Sequence, residues 1–450
     1  MLPKLFGDSP DMPREERELL SSTAWSFVIR LAGMVASFIF GVQLARLLNP
    51  EGFGVYGIVV AIGLLLSVVA QFGLQTVATR EISIALAQQH WSELRGNLMG
   101  YFTVVLGIST LLAMVWAVVA TVFPTILGPQ APNLAGTLLV PVFALTVLIS
   151  AELRALGRIV SGQALEILVR PALMCGLLFL VALFGRKLSA ALAVGFLVTS
   201  GLVTLAVGLV ALRSAVPKLA RRVPKIRPTS WAAGAASLAA VDLLKQLDAT
   251  YGILLVGVFS DEAEAGFLRV ALSAVIFVAT PISIFNVVLA PSLATLHSAG
   301  DRLQLQRILS FSAITMFITS LAALAAIALV GKSLITIVFG AAYTPAWMPL
   351  LLLTAAQAIN AFFGVGWVLL SMSGGERKLI TAYFFSVMAS ILIAVPLTLI
   401  WGARGAAAAA IVGALIQNSL TWRAVRLHSS LESSAAGFVW RAFTASKQHM

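Results

Sequence analysis

Apolar runs of about twenty residues recur from one end of this 450-residue chain to the other, and that recurrence limits the fold more than any single motif. A helix rises 1.5 Å per residue, so about 20 residues cross ~30 Å of bilayer hydrocarbon. Helices satisfy their own backbone hydrogen bonds in lipid, whereas barrel strands would alternate apolar and polar residues. Hydrophobic residues make up 60% of the chain and charged ones 11%, with a mean hydropathy of +0.98. That is too little charge to cover a soluble protein of this length. The expected class is an all-α integral membrane protein with about twelve transmembrane helices.

The N-terminal stretch MLPKLFGDSPDMPREERELLSS mixes acids and bases and has no apolar core followed by small residues. It reads as a cytoplasmic segment, not a signal peptide. Cys175 is the sole cysteine, so neither an intramolecular disulfide nor a thiolate metal cluster is expected. His90, His297, His428 and His449 are scattered over loops and tails, which leaves no candidate metal or cofactor site. The net charge of +12 reads as basic cytoplasmic loops, and no nucleic-acid partner is expected.

The spans fall into two sets of six. Residues 1–23 form the N-terminal segment, 24–212 one six-helix bundle, 213–232 a basic linker, 233–422 a second bundle and 423–450 a tail. The linker sequence RSAVPKLARRVPKIR carries too many prolines for a continuous helix. With both termini inside, 21 of the 30 Lys and Arg residues fall on cytoplasmic segments and five on external ones. That bias sets the orientation. An offset of 212 residues places Gly54 over Gly266, each after a polar turn and each opening an apolar span. Two six-span repeats share one orientation, so a pseudo-two-fold along the membrane normal is expected, with a site between them near the midplane.

Ionisable groups inside hydrocarbon are costly and usually mark pathways or sites. Arg30 lies about seven residues into the first span with no acid within reach on its own helix. Glu166 and Arg170 stand at i, i+4 and read as a self-satisfied pair near the inner interface, or as part of the site. Asp242, Lys245 and Asp248 follow three apart in the seventh span, leaning on one face. Lys245 has two neighbouring acids to pair with, and Asp242 and Asp248 are the acids best placed for ion coupling, of H+ or Na+, or for gating. The 212 offset sets Arg30 opposite Asp242 and suggests that the two charges face each other. Prolines 171, 281 and 396 and the pair Gly364 and Gly366 mark sites of helix bending.

No enzyme signature is present. Gly331-Lys332-Ser333 imitates the end of a P-loop, but the glycine needed five residues earlier is Ala326. No loop is long enough to fold as a catalytic domain.

Three stretches in order, ARLLNPEGFGVYGIVVAI with FGLQTVATREI, LDATYGILLVGVFSDEAEAGFLRVALS with its continuation, and IVFGAAYTPAWMPLLLLTAAQAINAFFGVGWVLLSMSGGERKL, carry a resemblance. Together they resemble the polysaccharide-transporter (oligosaccharide flippase) branch of the multidrug/oligosaccharidyl-lipid/polysaccharide flippase superfamily. The resemblance implies two six-helix bundles around a cavity that opens alternately to each side. It implies a polyprenyl (undecaprenyl) diphosphate-linked oligosaccharide as substrate, and residence in a bacterial cytoplasmic (inner) membrane. Arg30 matches the basic residues such cavities present to a diphosphate, and Arg170 and Lys245 are further matches. Two aspartates beside one lysine in the seventh span depart from a purely cationic lumen. Expected partners are the lipid-linked oligosaccharide, membrane lipids, a coupling H+ or Na+ and polysaccharide assembly proteins.

Two other classes stand against this reading. A cation or drug antiporter of the same superfamily would use Asp242 and Asp248, although Arg30 would repel its substrate. A membrane glycan polymerase would need a large external loop or an aspartate-rich metal site, and neither is visible. The orientation is open to test by impermeant thiol labelling of Arg222→Cys and Glu262→Cys. Position 222 should be protected from the outside and position 262 reactive, and the reverse pattern would invert the topology.

Overall fold

The computed structural model describes residues 14–123, 128–185, 187–216 and 228–437, with most side chains from Trp25 onward. Most of the basic linker (217–227), the first 13 residues, residues 124–127, Arg186 and the last 13 residues lie outside the described residues. No strand occurs among the described residues. The first half runs α1 (Arg14–Leu47), α2 (Pro50–Gln71), α3 (Leu74–Ala87), α4 (Trp91–Val122), α5 (Gln130–Thr137), α6 (Leu139–Ala155) and α7 (Ile159–Ala164). A π-helical turn, Leu165–Val169, then leads into α8 (Arg170–Leu183) and α9 (Ala190–Ala215). The second half runs α10 (Pro228–Phe259), α11 (Glu262–Ala299), α12 (Arg302–Val338), a 3-10 turn (Ala341–Ala346), α13 (Trp347–Phe363), α14 (Gly366–Met372), α15 (Glu376–Trp401) and α16 (Ala403–Ser429).

Ten helical stretches among the described residues are long and apolar enough to cross a membrane. The two further long helices, α10 and α16, have 32 and 27 residues. These twelve fall where the twelve apolar runs lie in the sequence. The pseudo-P-loop Gly331-Lys332-Ser333 lies inside α12, which continues to Val338.

The chain divides into two compact units, Met1–Leu48 with Val59–Gln246, and Asn49–Ile58 with Leu247–Met450. Two of these divisions fall inside helices, one within α2 and one within α10.

The first unit is built around α6, where Leu139, Val140, Ala144, Leu148, Ile149 and Leu153 have no exposed surface. Helices α3, α4, α5, α7 and α9 pack against it. Lipid gives no hydrophobic drive to helix association, so close packing at small residues has to supply it. Gly136 accordingly meets Val59 and Trp116, Gly201 meets Val142, and Gly208 meets Leu165, each with no room for a side chain. Buried hydroxyls are satisfied within their own helix: Thr146 Oγ1 donates to the Val142 carbonyl at 2.6 Å and Ser150 Oγ to Thr146 at 2.8 Å.

The second unit contains the tightest crossing. A Cβ on Gly54 would overlap the Glu262 carbonyl oxygen, and one on Gly266 would overlap that of Pro50. Both pairs are related by the 212-residue offset, so the starts of α2 and α11 meet reciprocally, backbone on backbone. The α15–α16 hairpin is equally close, with Gly405 seated on the Leu397 carbonyl. Glu264 Oε2 accepts from Ala403 N–H at 2.9 Å, so a carboxylate of α11 caps the positive end of α16. The tenth span breaks at Gly364, whose φ of 71° is left-handed, dividing α13 from α14. Glycine is the residue that accepts this conformation without strain.

Candidate functional site

The charged residues of the first unit take their positions from two breaks in helical geometry. Pro171 has no N–H to give to the Ile167 carbonyl four residues back, and its ring would clash there. The helix widens into the π turn Leu165–Val169 just before it. Gly33 of α1 packs directly on Ile167, 2.7 Å from its carbonyl oxygen to where a Cβ would be. The i, i+4 spacing of Glu166 and Arg170 runs through this wider turn. Glu166 Oε2 instead receives Arg154 Nη1 at 2.6 Å, while the Arg170 guanidinium lies over the Phe143 ring, 4.4 Å from its centroid. That geometry is a cation–π contact.

The second break is Gly73, left-handed at φ 71°, between α2 and α3. Its missing side chain lets the backbone of α10 approach, with the Ala235 carbonyl oxygen 2.5 Å from a Cβ position. Two residues on, Gln75 Nε2 donates to Asp242 Oδ2 at 3.0 Å. Asp242 is therefore engaged by a neutral amide, and Arg30 is exposed and forms no ion pair among the described residues. The pairing of Arg30 with Asp242 suggested by the 212 offset is absent.

Lys245, one turn further along α10, is exposed and pairs with neither neighbouring acid. Asp248 belongs to the second unit, where Tyr383 Oη of α15 donates to its Oδ2 at 3.0 Å. The charges of α10 thus do not act as one cluster, because the helix meets different neighbours along its length, Gln75 of α3 at Asp242 and Tyr383 of α15 at Asp248.

Two features escape a reading by charge spacing. Glu152 of α6 has no exposed surface, and neither carboxylate oxygen has a hydrogen-bond partner among the described residues. Its signal was an acid in SAELRA, three residues before the helix end, where it resembles an interfacial charge. The second is an amide ladder in the second unit. Asn418 Nδ2 donates to Asn360 Oδ1 at 2.7 Å and Asn360 Nδ2 to Gln357 Oε1 at 3.1 Å. Gln357 and Asn360, in TAAQAINAFF, and Asn418, in ALIQNSL, carry no charge signal, yet each half-buried amide keeps hydrogen-bonding capacity for a hydroxylated ligand.

The profile of the polysaccharide biosynthesis protein family matches residues 19–297, more than half of the chain. The chain belongs to that family. Among curated proteins no relative matches in sequence. Solved structures show where its fold recurs. An inward-facing multidrug resistance MATE family transporter of the MOP superfamily aligns with a TM-score of 0.70 at 12% identity, over 89% of this chain and 97% of that one. The lipid II flippase MurJ in an inward closed conformation aligns at 0.62 and 12% identity, over 90% and 87%. A mutant of the Vibrio cholerae MATE transporter VcmN aligns at 0.54 and 14% identity, over 93% and 99%. This member of the polysaccharide biosynthesis family is a multi-pass membrane protein, and its fold recurs in these solved transporters.

Glu152 yields a direct stability prediction. An ionised carboxylate buried without a partner costs several kcal/mol, whereas Gln keeps the shape without the charge. Glu152→Gln should unfold at the same temperature as the parent or up to a few degrees higher in detergent, read by scanning fluorimetry. A markedly lower midpoint would show that the carboxylate itself holds the unit together.

Proposed function

We propose that this protein is a flippase, carrying a polyprenyl (undecaprenyl) diphosphate-linked oligosaccharide across a bacterial cytoplasmic membrane by alternating access of its two lobes. The observation that carries this reading is Arg30, a guanidinium on the first membrane helix that is exposed and without an ion pair among the described residues. Such a charge in hydrocarbon costs at least ~2.5–3.5 kcal/mol on insertion scales and calls for an anion. Membership of the polysaccharide biosynthesis family supplies a reason for that anion to be glycan-linked. Resemblance in fold to a lipid II flippase is consistent with a lipid carrier.

A diphosphate brings about two negative charges to the apolar midplane, where uncompensated charge is prohibitive. Arginine presents planar, charge-assisted donors that match phosphate oxygens in pairs. Arg170 and Lys245 are proposed as further diphosphate contacts, Lys245 because it is exposed on α10. Asp242 and Asp248 remain the proposed sites of ion coupling or gating, each now with one neutral donor, Gln75 and Tyr383. The domain plan carried with this proposal is a six-helix bundle at 24–212, a cytoplasmic linker at 213–232 and a second bundle at 233–422. An antiporter for organic cations is disfavoured by Arg30, which would repel them.

Complementation of a glycan-export defect tests the reading. Arg30→Ala should lose most export, and Arg30→Lys should keep part of it because the charge survives while the paired donors do not. If Arg30→Ala accumulates normally by immunoblot and restores full export, Arg30 is no ligand and the proposed site has to move.

A further inference from the structure

The chain does not simply leave the second unit after its last helix. Ser430 takes a left-handed φ of 57°, which a non-glycine residue adopts at a cost, and the segment Ser430–Gly437 folds back against the unit. Leu431, Ser433, Ser434 and Ala435 are all buried there. The Gln306 side chain of α12 grips the Glu432 backbone from both sides, Nε2 donating to its carbonyl at 2.5 Å and Oε1 accepting from its N–H at 2.7 Å. The Glu432 carboxylate in turn accepts from Trp422 Nε1, and from Ser434 Oγ at 2.7 Å and Ser434 N–H at 3.3 Å. Arg426 Nε lies 3.7 Å from its other oxygen.

The segment is seated on the break in the tenth span. A helix end leaves its last carbonyls without intrahelical partners. Here the carbonyl of Phe362, in the last turn of α13, accepts from Ala435 N–H at 2.8 Å. The Ser433 carbonyl oxygen lies 2.5 Å from where a Cβ on Gly364 would stand, and Ser433 Oγ 2.8 Å from that of Gly366. Thus the strap touches α13, the break itself and the first residue of α14. Any change of the angle between α13 and α14 must open the Ala435–Phe362 bond or move Ser433 off the two glycines.

We propose that Ser430–Gly437 is a latch that holds the bend of the tenth span, and that its release is a step in the transport cycle. Three observations favour a latch over a permanent cap. Its grip is a small set of hydrogen bonds and one ion pair, to which the unit contributes the Gln306, Trp422 and Arg426 side chains and the Phe362 carbonyl. The chain reverses through a strained residue. The buried Ser433 hydroxyl finds no hydrogen-bond partner among the described residues, so the docked state leaves a polar group uncompensated. The coupling to transport rests on the flippase reading, whereas local release does not.

A reversible cross-link separates the two. The Ser433 Cβ lies 3.1 Å from the Cβ position of Gly366, close enough for a disulfide after a small adjustment. Gly366→Cys with Ser433→Cys, in a Cys175→Ala background, should lose at least tenfold in glycan export when oxidised and regain it on reduction. Full export in the oxidised state overturns the transport role. Hydrogen exchange decides local release without any transport. The Ala435 and Glu432 amides should exchange at least a hundredfold faster than mid-α13 amides such as Leu353, and slow when the disulfide forms. Exchange as slow as in α13 overturns the latch. Gln306→Ala gives a second reading that needs no cysteine, with faster exchange expected across 430–437 and 366–372. Unchanged exchange there counts against the latch. If exchange follows the prediction while even the reduced protein moves no glycan, the flippase reading fails and the latch stands.

Discussion

A solvent that donates and accepts no hydrogen bonds is the constraint on which the rest of this structure depends. Within hydrocarbon a polar group left unsatisfied is costly, so the protein has to satisfy most of them. The hydroxyls of α6 obey by bonding to carbonyls one turn back. Four carboxylates do so through neutral or cationic donors, Glu166 with Arg154, Asp242 with Gln75, Asp248 with Tyr383 and Glu264 with the start of α16, whereas the buried Glu152 has no such donor among the described residues. Against that background Arg30 stands out as an exposed guanidinium with no acid beside it among the described residues.

The same solvent explains why glycine governs the packing. Lipid tails are as apolar as leucine, so helices gain by approaching until backbones touch. Gly54 and Gly266 allow this where α2 meets α11, Gly33 where α1 meets the π turn, and Gly73 where α10 meets the α2–α3 break. Two of these contacts lie beside candidate residues: Arg170 follows the π turn, and Asp242 reaches Gln75. The breaks at Gly73 and Pro171 therefore lie beside proposed site residues.

The apolar spans were legible because hydropathy reports directly on the solvent, and ten of them stand as membrane-length apolar helices among the described residues; the Gly54–Gly266 offset was legible because the polar turns before both glycines align. The division of α10 between units was not, because helical periodicity states which residues share a face and not which neighbour that face meets. For the same reason Asp242 and Asp248 looked like one cluster. Arg154 was missed as a partner of Glu166 because it lies twelve residues away on the preceding helix, beyond the reach of a local i, i+4 rule. Glu152 and the Gln357–Asn360–Asn418 ladder were missed because only depth of burial, invisible in a single sequence, distinguishes them from interfacial polar residues.

The central claim is that a lipid diphosphate bearing a glycan is what crosses. Its most direct measurement is translocation in proteoliposomes that hold the purified protein and a fluorescent polyprenyl-diphosphate oligosaccharide, scored by how much probe an impermeant quencher reaches over time. The account predicts movement of the diphosphate-linked glycan, competed by unlabelled carrier of the same head group and not by a neutral polyprenol. Equal movement in protein-free vesicles, or competition by the neutral polyprenol as strong as by the diphosphate, would contradict it.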